Sequence, residues 1–96
     1  MKATLANMRP SAEIYYDTSN SYAGLCNPTS DNQGANLLRS GFVHLKNDAG
    51  KENVSCYSDS QSYAISVRLP TGQLYCVDST GKMETISSVI TGTSCK

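Results

Sequence analysis

Four cysteines, Cys26, Cys56, Cys76 and Cys95, and a single imidazole, His44, carry most of the chemistry this chain could offer. Successive cysteines lie 30, 20 and 19 residues apart, so no C-x-x-C pair exists. A redox dithiol normally needs that close pair, and zinc needs thiolates and imidazoles at tighter spacing. An even cysteine count at wide spacing in a chain of 96 residues points instead to two structural disulfides and an oxidising compartment. His44 lies between Val43 and Leu45, and no nucleophile motif such as G-x-S-x-G accompanies it. A hydrogen-bonded structural or surface histidine is therefore the reading, not a general base.

The remaining motifs give little more. Gly81-Lys82 has the look of a phosphate loop's end, but Met83 follows and position 76 is Cys where the loop needs Gly. Asp78-Ser79-Thr80-Gly81 could belong to an aspartic protease only if a second carboxylate motif shared the site, and there is none. It reads as a turn. Asp59, Asp78 and Glu84 could lend oxygens to calcium, but their spacing fits no recognised loop and solvated turn carboxylates are the simpler reading. Asn53-Val54-Ser55 is a glycosylation sequon, a three-residue pattern of low specificity. Six tyrosines could stack on bases or sugars. Nucleic-acid platforms also carry a basic groove, whereas here Lys and Arg are dispersed, so Tyr15, Tyr63 and Tyr75 are mostly assigned to the core. No catalytic residue, metal ligand or cofactor is expected from this screen.

Composition narrows the partners. Eight basic residues balance eight acidic ones, which leaves no long-range positive field to attract duplex nucleic acid or an anionic membrane. Charged residues are only 17% of the chain, below the roughly 25% of an average soluble domain. Ser and Thr supply 22 residues and Asn seven, so solubility rests on hydroxyls and amides. The longest apolar run, Leu74 to Val77, is far too short for a membrane span or a signal peptide. A secreted chain needs an export signal, so the expectation is that one was removed or that these residues belong to a longer protein.

These residues must be positioned by a small set of elements in one domain, 1–96. Residues 1–19 form a helix, with Leu5, Met8, Ala12 and Tyr15 on one face and Arg9, Glu13 and Asp17 on another. Arg9 and Glu13 are spaced to pair, and Pro10 predicts a kink or a start near Asn7. Residues 20–53 are a long connection with one weaker helix. Asp31 is its expected cap, Leu38, Phe42 and Leu45 its apolar face, and Asn47–Gly50 its end. Gly34 and Gly41 weaken that helix by ~1 kcal/mol each. After Asn53 the period becomes two. Strands are predicted at 54–58, from Ser62 to Leu69 with one buried face, at 73–77, and more weakly at 85–90, joined by turns at 69–72 and 78–81. Helix segregated from an antiparallel meander of three or four strands makes the class α+β.

Read together, two blocks resemble a known family. Met8-Arg9-Pro10-Ser11-Ala12-Glu13-Ile14-Tyr15-Tyr16-Asp17, followed by Asn20-Ser21-Tyr22-Ala23-Gly24-Leu25-Cys26, is similar to the junction between the long first helix and the next loop of type IV pilins and pseudopilins. Ser62-Tyr63-Ala64-Ile65 and Leu74-Tyr75-Cys76-Val77-Asp78-Ser79-Thr80-Gly81 resemble that family's headgroup strands. Residues 27–53 carry no such likeness. The family's basic leader, cleavage glycine and apolar helix of about 20 residues are not in this sequence. The expectation is a soluble headgroup without its membrane-anchoring half.

The resemblance implies a non-enzymatic filament subunit whose partners are copies of itself, related pilins and the inner-membrane assembly machinery, met through that missing helix. The fragment alone would contact no membrane. Leu5, Met8, Ala12 and Tyr15 become the seam on which the sheet packs. Order along the chain suggests Cys26–Cys56 and Cys76–Cys95, although four cysteines allow three connectivities. The location implied is an extracellular filament surface or the periplasm. Two alternatives stay open: a pseudopilin of a type II secretion or DNA-uptake system, and a small secreted binding or adhesin module stapled by two disulfides.

Overall fold

The computed structural model describes residues 2–29 and 32–95. Helix α1 (Lys2–Ser19) leads to helix α2 (Gln33–Ala49), a 3₁₀ turn (Lys51–Asn53) and strands β1 (Val54–Ser58), β2 (Tyr63–Arg68), β3 (Leu74–Asp78) and β4 (Met83–Ile86). The strands form one antiparallel meander in the order β1-β2-β3-β4. This is the expected α+β arrangement, with the N-terminal helix beside a small sheet.

α1 runs from Lys2 and includes Pro10, so it does not start near Asn7. Asn20 ends it in the left-handed region, with φ 58°, and donates its backbone N–H to the Tyr16 carbonyl. Asparagine tolerates that conformation better than most residues. α2 is capped by Asn32, whose side-chain oxygen accepts from the Ala35 N–H at 2.8 Å. Asp31, the cap expected from sequence, lies outside the described residues. Gly50, at φ 91°, closes the helix by donating to the Lys46 carbonyl.

The two glycines expected only to weaken α2 instead set its distance from α1. A Cβ at Gly34 would sit 2.5 Å from the backbone nitrogen of Tyr15, and one at Gly41 2.8 Å from Met8 Cγ. The missing side chains let two helices meet closely. The seam residues Leu5, Met8, Ala12 and Tyr15 are buried in the core that α2 shares with the sheet, alongside Leu38, Phe42, Leu45, Tyr63, Ile65, Val67 and Val77. α1 meets α2 much more extensively than it meets the sheet, where β3 is its main neighbour. The seam is therefore a helix–helix junction first and a sheet contact second.

β2 is buried on both faces, not one. Tyr63, Ile65 and Val67 face the helices, while Ala64 joins Leu74, Cys76, Ile86, Ile90 and Cys95 in a second apolar cluster behind the sheet. That cluster exists because the C-terminal tail folds back across the sheet. The last strand also begins earlier than expected. The turn at Asp78–Gly81 pairs Val77 with Met83, so β4 ends at Ile86, and Ile90 packs from irregular chain.

Candidate functional site

Both disulfides join the expected partners: Cys26–Cys56 ties the loop after α1 to β1, and Cys76–Cys95 ties the tail to β3. No described cysteine is free. Such crosslinks persist in oxidising, non-cytoplasmic compartments. Among the described residues, no helix is long and apolar enough to cross a membrane.

A second anchor holds the tail. Asp78 ends β3 and is only 1% exposed. Its Oδ1 accepts from the Thr80 N–H (3.0 Å), the Thr80 hydroxyl (2.5 Å) and the Lys82 N–H (3.2 Å). Its Oδ2 accepts from the Cys95 N–H at 2.8 Å. Burial works to raise its pKa, but the hydrogen bonds from Thr80, Cys95 and Lys82 outweigh it and hold the carboxyl below its usual range. Lys82 Nζ donates to the Cys95 carbonyl, and the Ser62 hydroxyl to Thr93 Oγ1. The turn role was legible in Asp-Ser-Thr-Gly; the tail contact, 17 residues away, had no local signal.

Beside this turn lies an open polar cleft of about 500 Å³, formed by Arg9, Pro10 and Glu13 on α1, Tyr63 on β2, and the Asp78–Gly81 turn. Helical spacing places Arg9 and Glu13 on one face, yet they do not form the expected pair. Glu13 Oε2 accepts from the Tyr22 hydroxyl at 2.7 Å. Burial first, then the Glu13 contact, pushes the Tyr22 hydroxyl well above its ordinary pKa. Among the described residues, Arg9 Nη1 meets the Met83 thioether at 3.8 Å, and Arg9 Nε is buried without a hydrogen-bond partner. Burial, reinforced by the Glu13 and Asp78 charges against the opposing effect of Arg9, pushes the Tyr63 hydroxyl up to about 12. It stays protonated at neutral pH.

The other candidates are dispersed. His44 is exposed on α2, in a shallow groove with Thr4, Asn7 and Leu37. The sequon nitrogen, Asn53 Nδ2, donates to the Ala49 carbonyl at 2.6 Å and so helps finish α2. Asp59 folds its own turn by accepting from the Gln61 and Ser62 N–H groups, which lowers its pKa. Glu84 lies 4.0 Å from Lys82 Nζ. Asp59, Asp78 and Glu84 are thus occupied separately, and no cluster of three or more His, Cys, Asp or Glu among the described residues could hold a metal ion. Tyr15 and Tyr63 are core residues, while Tyr75 is half-buried under the Lys2 ammonium, 5.0 Å from its ring centre. No family model, curated protein or solved structure matches the chain.

Proposed function

We propose that this chain is the headgroup of a type IV pilin or pseudopilin, a non-enzymatic filament subunit. The observation that carries the reading is the arrangement of α1: its apolar seam lies against α2 and a four-stranded meander, and the last residues are stapled back onto that sheet. A subunit in a filament under tension benefits from such staples. Loops of these lengths each gain roughly 3–4 kcal/mol in the chain-entropy model. A neutral surface rich in hydroxyls and amides suits close packing against copies of itself, where strong like charge would repel. On this reading the headgroup lines an extracellular filament or a periplasmic pseudopilus, and an apolar helix encoded upstream anchors the subunit before assembly.

The test is immunogold microscopy with antibodies against this chain, together with sequencing of the gene upstream of Met1. Labelled surface or periplasmic filaments and an upstream apolar helix with a pilin processing site are expected. A cleaved ordinary signal peptide and an unassembled protein in the medium would overturn the reading. That result would favour the second one, a small secreted binding module, to which the open polar cleft beside Arg9 lends support.

A further inference from the structure

We propose that Cys26–Cys56 is a thiol-exchange site that takes an anionic low-molecular-weight thiol onto Cys26, while Cys76–Cys95 stays closed. The inference goes beyond the filament reading and does not depend on it.

The two crosslinks sit in opposite surroundings. Cys76 and Cys95 are 0% and 1% exposed, inside the apolar cluster behind the sheet. The Asp78 carboxylate accepts from the Cys95 N–H, and its negative charge repels an approaching thiolate. Cys26 and Cys56 are only half-buried. Cys26 lines an open surface groove of about 180 Å³ between α2 and the loop after α1. Exchange requires a thiolate to reach one of the sulfurs, so exposed disulfides are the labile ones and buried ones the structural ones.

Charge points the same way. The lining of this groove holds two cations, Arg39 and Lys46, and no carboxylate among the described residues. Arg39 Nη1 donates to the Pro28 carbonyl at 2.9 Å, two residues beyond Cys26. Lys46 Nζ lies 5.9 Å from the ring centre of Phe42, on the same groove. Such cations attract an anionic thiol and favour the thiolate that must leave.

The step balances without an oxidant. The incoming thiolate attacks Cys26 Sγ and forms a new S–S bond. The Cys26–Cys56 bond breaks, its electron pair leaves on Cys56 Sγ, and that thiolate takes a proton from water. One disulfide is thereby exchanged for another. A second thiol molecule, attacking the mixed disulfide, would leave both cysteines reduced and two thiols joined as their own disulfide. The loop keeps Tyr22 and Leu25 in the core, so the opened form stays folded and the crosslink re-forms by the reverse step.

The test exposes the native full chain to glutathione, quenches with acid, alkylates free thiols and maps the peptides by mass spectrometry. Glutathione should appear on Cys26 and the alkyl label on Cys56, at least about tenfold faster than any modification of Cys76 or Cys95. Global unfolding would open both crosslinks alike, so this selectivity itself marks exchange in the folded state. Lys46→Glu changes an exposed side chain. It should slow the reaction with glutathione severalfold and speed that with cysteamine, a cationic thiol, and added salt should shrink both effects. Equal rates at the two crosslinks, glutathione on Cys56 in place of Cys26, or a Lys46→Glu variant that shifts both thiols in the same direction would each overturn the proposal. None of these outcomes bears on whether the chain assembles into filaments.

Discussion

Asp78 joins a turn to a tail with one carboxylate, and its energetics follow from what it accepts. Replacing it with Ala leaves the Cys95, Lys82 and Thr80 N–H groups without their acceptor in a largely buried place. The expected loss is about 2–3 kcal/mol at neutral pH. Its folded-state pKa is depressed, so the stabilisation is present above the unfolded value of about 3.9 and lost as pH falls through the lower folded value. Urea unfolding should therefore show a gap between wild type and Asp78→Ala at pH 7 that narrows as the pH drops below about 4. A gap independent of pH would mean that the carboxylate charge is irrelevant. At this scale the sequence was partly legible. The turn could be read because Asp, Thr and Gly favour local hydrogen bonding at these offsets. The Arg9–Glu13 pair was wrongly expected because helical spacing places two side chains within reach without excluding a third. Tyr22, in the loop beyond α1, takes the glutamate instead.

Among the elements, the helices and strands were legible from periodicity, and the way they approach one another was not. Gly34 and Gly41 looked like defects because helix propensity considers one helix in isolation. In the fold they lie seven residues apart, two turns of α2, where α1 comes closest. Their substitutions should separate cleanly. At Gly34 an added Cβ meets the Tyr15 backbone nitrogen and Cα at 2.5 and 2.6 Å, and a backbone inside a helix cannot step aside. At Gly41 it meets the Met8 side chain, which can change rotamer, and the gain in helix propensity offsets part of the strain. Gly34→Ala should therefore cost about 2–3 kcal/mol and Gly41→Ala about 1 kcal/mol or less, read as shifts in urea midpoint at constant m-value. Equal losses at the two sites would refute close helix contact as the reason for both glycines. β2 misled for a related reason. Ala64 and Ser66 are small enough to pass for a solvent face, yet both are buried, and the Ser66 hydroxyl has no partner among the described residues.

Across the whole molecule, the second apolar cluster was the feature least visible in sequence, because Ile90 and Cys95 come from irregular chain that carries no period. The cluster makes the sheet the middle of a sandwich: helices in front, tail behind. The tail is held there twice, by Cys76–Cys95 and by the Asp78 carboxylate on the Cys95 N–H, with Lys82 and Ser62 adding lighter contacts. Two anchors at one residue make a specific prediction about cooperativity. With the disulfide intact, Asp78→Ala removes hydrogen bonds but the tail cannot leave. With Cys76→Ser and Cys95→Ser, about 3 kcal/mol of chain-entropy stabilisation goes, yet the Cys95-position N–H still finds Asp78. Only when all three changes are combined should the tail detach and bare Leu74, Ile86 and Ile90. The combined loss should fall short of the sum of the separate losses by about 0.5–3 kcal/mol, because the tail detaches only where that is less unfavourable than staying in place without its anchors. Amide exchange along β4 and binding of a hydrophobic dye should rise sharply in the combined variant and little in either parent. Exchange along β4 and dye binding already raised in the disulfide variant, with Asp78→Ala then adding only its turn contribution, would show that the crosslink alone holds the third layer and that Asp78 serves its turn and no more.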